Sequence, residues 1–179
     1  ALILLATALV LGFAARSDGA AVFVARHVWT MDDSRFGGWS GLDMVPAPDG
    51  TATGARFAAI SDRGWIVDGV LERDLAGRIT HATAGGFRRL GDRKSDPFFR
   101  REHRDSEGLA LAPDGRVLVS YERLQRVFSY PDLSVTDPAV LPIYRDFIGF
   151  YPNSGLEALA VGPNGAVFTL PEVAMAGSG

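Results

Sequence analysis

The chain has 179 residues, of which 47% are hydrophobic and 22% charged, with 21 glycines, 10 prolines and no cysteine. This composition is typical of a globular chain rich in turns, and the lack of cysteine excludes disulfides, thiolate nucleophiles and thiolate metal sites. A net charge of −3 gives no electrostatic footprint for nucleic acid, so we expect no nucleic-acid partner.

The chain opens with an apolar run at residues 1–15, ALILLATALVLGFAA, which is followed by the polar residues Arg16–Gly19. The run is too short to span a bilayer comfortably and is typical of a signal-peptide core, with cleavage after Ala14. We therefore predict a signal-peptide remnant at residues 1–19, a domain at residues 20–179 without a membrane span, and a periplasmic or secreted location. A buried first strand or helix is the alternative interpretation.

The next segments are rich in residues that favour strands. Ala20–Met31 contains many β-branched and aromatic residues and predicts one long strand or a strand pair. A hairpin is expected at about Leu42–Ser61, with Asp43 opposite Asp62 across a long loop, and Trp65–Leu71 adds a third strand to the same sheet.

A basic segment separates this first sheet from the next one. Apolar periodicity disappears between Gly85 and Arg104, where seven of the 18 Lys and Arg residues gather. We expect a loop between two sheets. It is either a solvated connection or a rim that attracts polyanions.

The segment Asp105–Glu122, DSEGLALAPDGRVLVSYE, predicts a second hairpin at about Gly108–Tyr121. Asp114-Gly115 is a preferred pair for a two-residue turn with positive φ at both positions. That turn places Glu107 opposite Glu122, where two carboxylates about 5 Å apart repel by roughly 3 kcal/mol at an effective dielectric of 20. A bound cation, a nearby arginine or a raised carboxyl pKa is expected to offset this repulsion.

The same pattern returns in NSGLEALAVGPNGAVFTLPE, which predicts a third hairpin at about Ala158–Pro171 with its turn at Asn164-Gly165. Fifteen positions separate Glu157 from Glu172, the same spacing as in the second hairpin. Gln125–Tyr130 supplies a third strand for the second sheet. The hairpin strands carry apolar residues on both faces, so each sheet should be covered on both sides. Repeated antiparallel sheets of this kind predict an all-β fold, a β-propeller, of which this chain holds about three blades.

In a propeller the ends of the strands farthest from the turns meet around one mouth, and here those ends carry acidic residues. Such an oxygen-only cluster suits calcium as cofactor, and the cation could assist the hydrolysis of an ester. Glu107 and Glu122 are the candidate catalytic residues, and Arg63 and Arg123 are placed to bind an anionic substrate. The alternative is a rim of ion pairs in which Arg123 neutralises Glu107, or Arg63 of a neighbouring turn neutralises Asp62. The candidate metal ligands are Asp43, Asp62, Asp105, Glu107, Glu122, Glu157 and Glu172.

Four segments occurring in order, FGGWSGLD, ISDRG, DSEGLALAPDGRVLVSYER and GLEALAVGPNGAVFTLPE, resemble the bacterial phytase-like propeller family, described as having esterase-like activity of phytase. The resemblance runs from Phe36 to Glu172. It implies a six-bladed or similar propeller in an exported hydrolase-like protein, of which this chain holds roughly the first half.

Two classes of function follow from these observations. The first is an exported phytase-like or esterase-like hydrolase that acts on a small-molecule phosphate or carboxylic ester by metal-assisted hydrolysis at the acidic mouth. The alternative is a non-catalytic, calcium-stabilised propeller that binds a ligand or partner there. The sequence does not separate them.

Overall fold

The computed structural model describes residues 22–45, 55–91, 104–123, 125–134, 137–142 and 155–173. Within these ranges the chain forms eleven β-strands, which confirms the all-β prediction. The predicted signal-peptide remnant at residues 1–19 lies outside the described residues. Among those described, no helix is long and apolar enough to cross a membrane.

The first sheet is antiparallel, and its hairpin and third strand confirm the prediction. Four strands follow one another in chain order, and a short fifth strand pairs with the third. The fourth and fifth strands were not expected from the sequence. The strands are β1 (Trp39–Met44), β2 (Arg56–Ser61), β3 (Trp65–Arg73), β4 (Ile79–Ala84) and β5 (Arg88–Arg89).

The second and third sheets are built around the two hairpins that share the fifteen-residue spacing. In the second sheet four strands pair in chain order, and in the third sheet two strands pair. Both hairpins and the predicted third strand of the second sheet are confirmed. The strands are β6 (Ser106–Leu111), β7 (Val117–Tyr121), β8 (Arg126–Tyr130), β9 (Ala139–Val140), β10 (Leu156–Val161) and β11 (Val167–Pro171).

The turns of these hairpins differ from the predicted two-residue type. Ala112 donates its N–H to the carbonyl of Arg116 at 2.8 Å, which closes a loop of three residues. Gly115 has a φ of 90°, whereas Asp114 does not have a positive φ, so the prediction of positive φ at both positions is wrong. Pro113 favours the second position of a type I turn, and the glycine then takes the left-handed position. The Gly165 turn has the same geometry, with a φ of 78°.

A β-bulge in the first strand shifts the outer register of the second hairpin. Leu109 pairs with Val119, whereas Ser106 pairs with Tyr121. Glu122 donates its N–H to the carbonyl of Asp105 at 2.9 Å, so the predicted placement of Glu122 directly opposite Glu107 is wrong. An extra residue in one strand bends that strand and reorients its side chains, which leaves Glu107 beside the pair.

The third hairpin carries the same bulge. Leu156 pairs with Pro171 and Ala158 with Leu170, so Glu157 is the extra residue. Glu172 donates its N–H to the carbonyl of Gly155 at 3.0 Å. The predicted pairing of Glu157 with Glu172 therefore fails by the same shift.

The first hairpin shows that the predicted pairing of Asp43 with Asp62 is also wrong. Asp43 pairs with Ala58, and Asp62 instead donates its N–H to the carbonyl of Gly38 at 2.8 Å. The bulge here falls at Ser40, between Trp39 and Gly41. The three sheets thus share two equivalent positions. We call them the bulge position (Ser40, Glu107, Glu157) and the post-strand position (Asp62, Glu122, Glu172).

The first strands of the three sheets lie next to one another at points where glycine allows close approach. A Cβ at Gly41 would lie 2.9 Å from the backbone nitrogen of Leu109, and a Cβ at Gly108 would lie 2.8 Å from the Cβ of Leu159. Apolar side chains fill the spaces between neighbouring sheets, with Leu109 in one cluster and Ala110 and Leu156 in the next. This repeated packing is what a propeller requires, and closure with six blades stays a prediction.

The segment that precedes the first sheet departs from the prediction. Residues 22–31 form no strand, so the strand predicted over Ala20–Met31 is wrong for the described part. Trp29 instead stacks on Trp39 with ring centroids 5.0 Å apart, so its aromatic character serves packing rather than strand pairing.

The third sheet leaves Phe168 61% and Leu170 67% exposed, whereas both hairpin strands of the second sheet are almost entirely buried. Coverage on both sides therefore holds for the second sheet, whereas the third sheet has the exposed apolar face expected at the end of an open three-blade array.

Candidate functional site

The bulge and post-strand positions of the second and third sheets bring four glutamates together, and Asp105 joins them. We call these five carboxylates the acidic cluster. They form two overlapping triads, and in each triad one carboxylate oxygen from every residue lies within 4.8 Å of those from the other two. Glu122 belongs to both triads, and it comes from the second sheet while two of its neighbours come from the third. The triads are Asp105, Glu107 and Glu122, and Glu122, Glu157 and Glu172.

The electrostatics of the acidic cluster favour protons or cations. Burial raises the pKa of Glu107 to about 8, and the charges of Glu157, Asp105 and Glu122 add to the shift. Burial also raises the pKa of Glu122, which is only 9% exposed, and nearby Asp105 raises it further. The pKa of Glu157 rises for the same reasons, with Glu172 as its main charged neighbour. A bound cation would relieve the repulsion that these shifts reveal.

A cavity of about 440 Å³ lies beside the acidic cluster, and we call it the arginine cavity. It contains four arginines and two aspartates, so its walls carry a net positive charge. Asp105 belongs both to this cavity and to the acidic cluster. The lining residues are Asp62, Arg63, Trp65, Arg89, Arg104, Asp105 and Arg123.

The two arginines predicted to bind substrate both line the arginine cavity, each directly after a post-strand acid. Arg123 donates from Nε to Oδ2 of Asp105 at 3.3 Å. Arg63 donates from Nη2 to the carbonyls of Arg35 and Gly37 at 2.9 and 3.1 Å. These bonds hold both guanidinium groups at the cavity wall.

The ion-pair alternative is met only in part. Nε of Arg63 lies 3.8 Å from Oδ1 of Asp62, as that alternative expects. Arg123 forms its ion pair with Asp105 rather than with Glu107. Neither of these two ion pairs includes a carboxylate of the second triad.

The structure does not bring Asp43 or Asp62 into the acidic cluster. Asp43 accepts the N–H of Leu111 at 2.8 Å and the N–H of Met44 at 2.7 Å, so it ties the first sheet to the second. Asp62 lines the arginine cavity. The other five predicted metal ligands form the acidic cluster.

Sequence reasoning missed three residues that line the arginine cavity: Trp65, Arg89 and Arg104. The guanidinium of Arg89 lies over the Trp65 ring, 4.9 Å from its centroid. Both arginines belong to the basic segment between the first two sheets, so its charge was the available signal. Arg88 of this segment is structural, because it donates to Asp68 at 2.6 Å. Arg93, Lys94, Arg100 and Arg101 lie outside the described residues.

Residues 34–179 match the phytase-like family, described as esterase-like activity of phytase. The match covers most of the chain and includes both the acidic cluster and the arginine cavity. The chain therefore belongs to the phytase-like family, which confirms the resemblance found in the sequence motifs. No curated protein matches the chain.

Proposed function

We propose that the protein is an exported hydrolase that cleaves a phosphate or carboxylic ester by metal-assisted hydrolysis, with a divalent cation held by the acidic cluster. The observation that carries this proposal is the convergence of five carboxylates from two sheets around the buried Glu122. Membership of a family described by esterase-like activity supports an ester as the substrate.

The donor set fits calcium. All five ligand side chains offer oxygen, and calcium takes 6–8 oxygen ligands at about 2.3–2.6 Å. Two oxygens on opposite sides of such an ion lie roughly 5 Å apart. One carboxylate oxygen from each member of a triad lies within 4.8 Å of the others, which is close enough for all three to contact a single calcium ion. When bound, the cation would polarise the ester oxygen and lower the pKa of a coordinated water.

The residues of the chain supply the remaining chemistry. In the metal-free protein the pKa of Glu107 is about 8, so this group holds a proton near neutral pH. A cation held by Glu122, Glu157 and Glu172 would leave Glu107 available for general acid–base catalysis. Glu122 belongs to both triads, so it connects Glu107 in the first triad to Glu157 and Glu172 in the second. Asp105 joins the acidic cluster to the arginine cavity through its bond with Arg123.

The arginine cavity supports an anionic substrate. Its volume of about 440 Å³ falls in the range of small-molecule sites, about 300–1,000 Å³. Arg63 and Arg123 would orient a phosphate or carboxylate group there, next to the acidic cluster. Added salt should weaken this attraction.

Chromogenic phosphate and short acyl esters test the proposal. We expect turnover of at least one ester, loss of turnover in excess chelator and recovery with calcium. Asp43→Asn serves as a control, because its side chain lies outside the acidic cluster and keeps an acceptor for Leu111. Turnover that persists in chelator would contradict the metal-assisted mechanism.

A non-catalytic, calcium-stabilised protein that binds a ligand or partner is the second candidate. It is favoured by the placement of Glu122 in the second sheet and of Glu157 and Glu172 in the third, because one cation would then cross-link two sheets. Calcium at one hundred times its dissociation constant would add about 2.7 kcal/mol to the free energy of unfolding. Calcium binding without turnover of any ester would select this candidate.

Export is supported by the apolar run at residues 1–15 and the polar residues that follow it. N-terminal sequencing of the protein recovered from the periplasm or medium tests this part. We expect a mature chain that begins at Ala15, and a product confined to the cytoplasm would contradict export.

A further inference from the structure

Two glycines lie where the second and third sheets approach each other beside the acidic cluster. Gly155 is buried, and its φ is not in the left-handed region, so backbone conformation does not explain its identity. A Cβ at Gly155 would lie 2.6 Å from both Cα and Cγ of Glu122. Real Cβ atoms do not approach other heavy atoms this closely, so any side chain at this position must push the sheets apart.

Gly155 is connected to each member of the second triad. It contacts Glu122 directly and lies two residues before Glu157. Its carbonyl accepts the N–H of Glu172 at 3.0 Å. Gly108 acts from the other sheet, because a Cβ there would lie 2.9 Å from the carbonyl oxygen of Glu157 and 2.6 Å from Oγ of Ser120.

We propose that Gly155 and Gly108 are positioning residues that set the spacing of Glu122, Glu157 and Glu172 across the two sheets. The inference rests on the proposed function in one respect, since it takes this triad to be a cation site. Residues that position ligands without touching the metal commonly change its affinity by about 10–100-fold when they are replaced.

Gly41 provides a matched control at the equivalent junction of the first two sheets. A Cβ at Gly41 would lie 2.9 Å from the backbone nitrogen of Leu109, a comparable clash between neighbouring sheets. Its three nearest atoms belong to Leu109 and Ile60, neither of which is part of the acidic cluster. Gly41→Ala should therefore lower the melting temperature of the metal-free protein without changing calcium affinity.

The experiment compares Gly155→Ala, Gly108→Ala and Gly41→Ala in metal-free melting temperature, calcium dissociation constant and crystal structure. We expect the first two to weaken calcium binding about tenfold or more and to move Glu157 away from Glu122. Gly108→Ala keeps the test decisive if Gly155→Ala does not fold, because it presses on Glu157 from the opposite sheet.

The outcomes separate this inference from the proposed function. Carboxylates that stay within 4.8 Å of one another in the folded variants, or calcium binding weakened equally by Gly41→Ala, would overturn the positioning role. If wild-type protein binds no calcium while Gly155→Ala still separates Glu157 from Glu122, the positioning role stands and the proposed cation site fails.

Discussion

The strand ends opposite the hairpin turns have the same backbone arrangement in all three sheets, but their chemistry differs between the first sheet and the other two. Each hairpin has a bulge and a post-strand acid at the same places. In the first sheet the bulge residue is Ser40, whose hydroxyl donates to the carbonyl of Ser106 at 2.5 Å. In the other two sheets it is Glu107 and Glu157, whose carboxylates join the acidic cluster.

This difference divides these strand ends into an anionic half, the acidic cluster, and a cationic half, the arginine cavity. Where serine replaces glutamate, the neighbouring space is the arginine cavity, lined by Arg63 and Arg123. Asp105 lies on the boundary between the halves. A repeated backbone can therefore place a carboxylate cluster and an arginine-lined cavity side by side, which is the arrangement that the proposed metal-assisted hydrolysis of an anionic ester needs.

The largest effect is expected from the post-strand position, where Glu122 and Asp62 are equivalent in backbone but not in surroundings. Glu122→Gln removes a charge from both triads and should lower ester hydrolysis by at least about 100-fold. Asp62→Asn should leave the calcium dissociation constant unchanged. Steady-state kinetics and calcium titration of the two variants check this, and equal losses of calcium binding would break the comparison.

The cationic half predicts a smaller effect, on substrate binding. Arg123→Ala should raise KM for an anionic ester about tenfold, because the cavity loses one of the guanidinium groups that orient the substrate. Kinetics at low and high salt measure this effect. Arg116→Ala is the control, since Arg116 pairs with Asp114 at the turn, and a similar rise in KM there would contradict a local role for the cavity.

Asp43 tests whether the acidic cluster acts locally, because it is acidic but belongs neither to the acidic cluster nor to the arginine cavity. Asp43→Ala removes the acceptor for the N–H of Leu111 and should lower the free energy of unfolding by about 1–2 kcal/mol. Denaturant unfolding with and without calcium checks this. The stabilisation by calcium should match that of the wild type, and a reduced stabilisation would place Asp43 in the cation site.

The last expected effect is on the pH dependence of stability, measured as a slope rather than as a loss of function. The pKa of Glu107 is raised from 4.5 to about 8, so between these values the folded protein binds more protons than the unfolded chain. The metal-free protein should therefore lose stability from about pH 5 to pH 8, since stability rises with pH only where the unfolded state binds more protons. Glu107→Gln should flatten this slope in thermal melts across that range. An unchanged slope would show that Glu107 is not the titrating group.

The sequence predicted the hairpins and the five clustered acids because both depend on local signals. Alternating apolar runs around Asp-Gly and Asn-Gly define the hairpins, and the equal spacing of the glutamates marks the cluster. The bulges were not predictable in this way, since Glu107-Gly108 is compatible with either register. The error at Asp43 has another source, because the pairs from Gly41–Ile60 to Met44–Phe57 are continuous and place Asp43 opposite Ala58, four residues from Asp62.

The arginine cavity shows why part of the site escaped prediction. Arg89 and Arg104 belong to a segment without periodicity, and only tertiary packing places them beside Arg63. The aromatic residues near Trp29 were misread for a related reason. They cover the outer face of the first sheet, where Phe57 and Phe87 are buried, and burial favours the same residue types as a strand does.

Calorimetric titration of calcium into the metal-free protein tests the central claim most directly. We predict binding to wild-type protein, which is lost in Glu122→Gln and retained in Asp62→Asn. No heat of binding at millimolar calcium, or binding that Glu122→Gln leaves unchanged, would contradict a cation site in the acidic cluster.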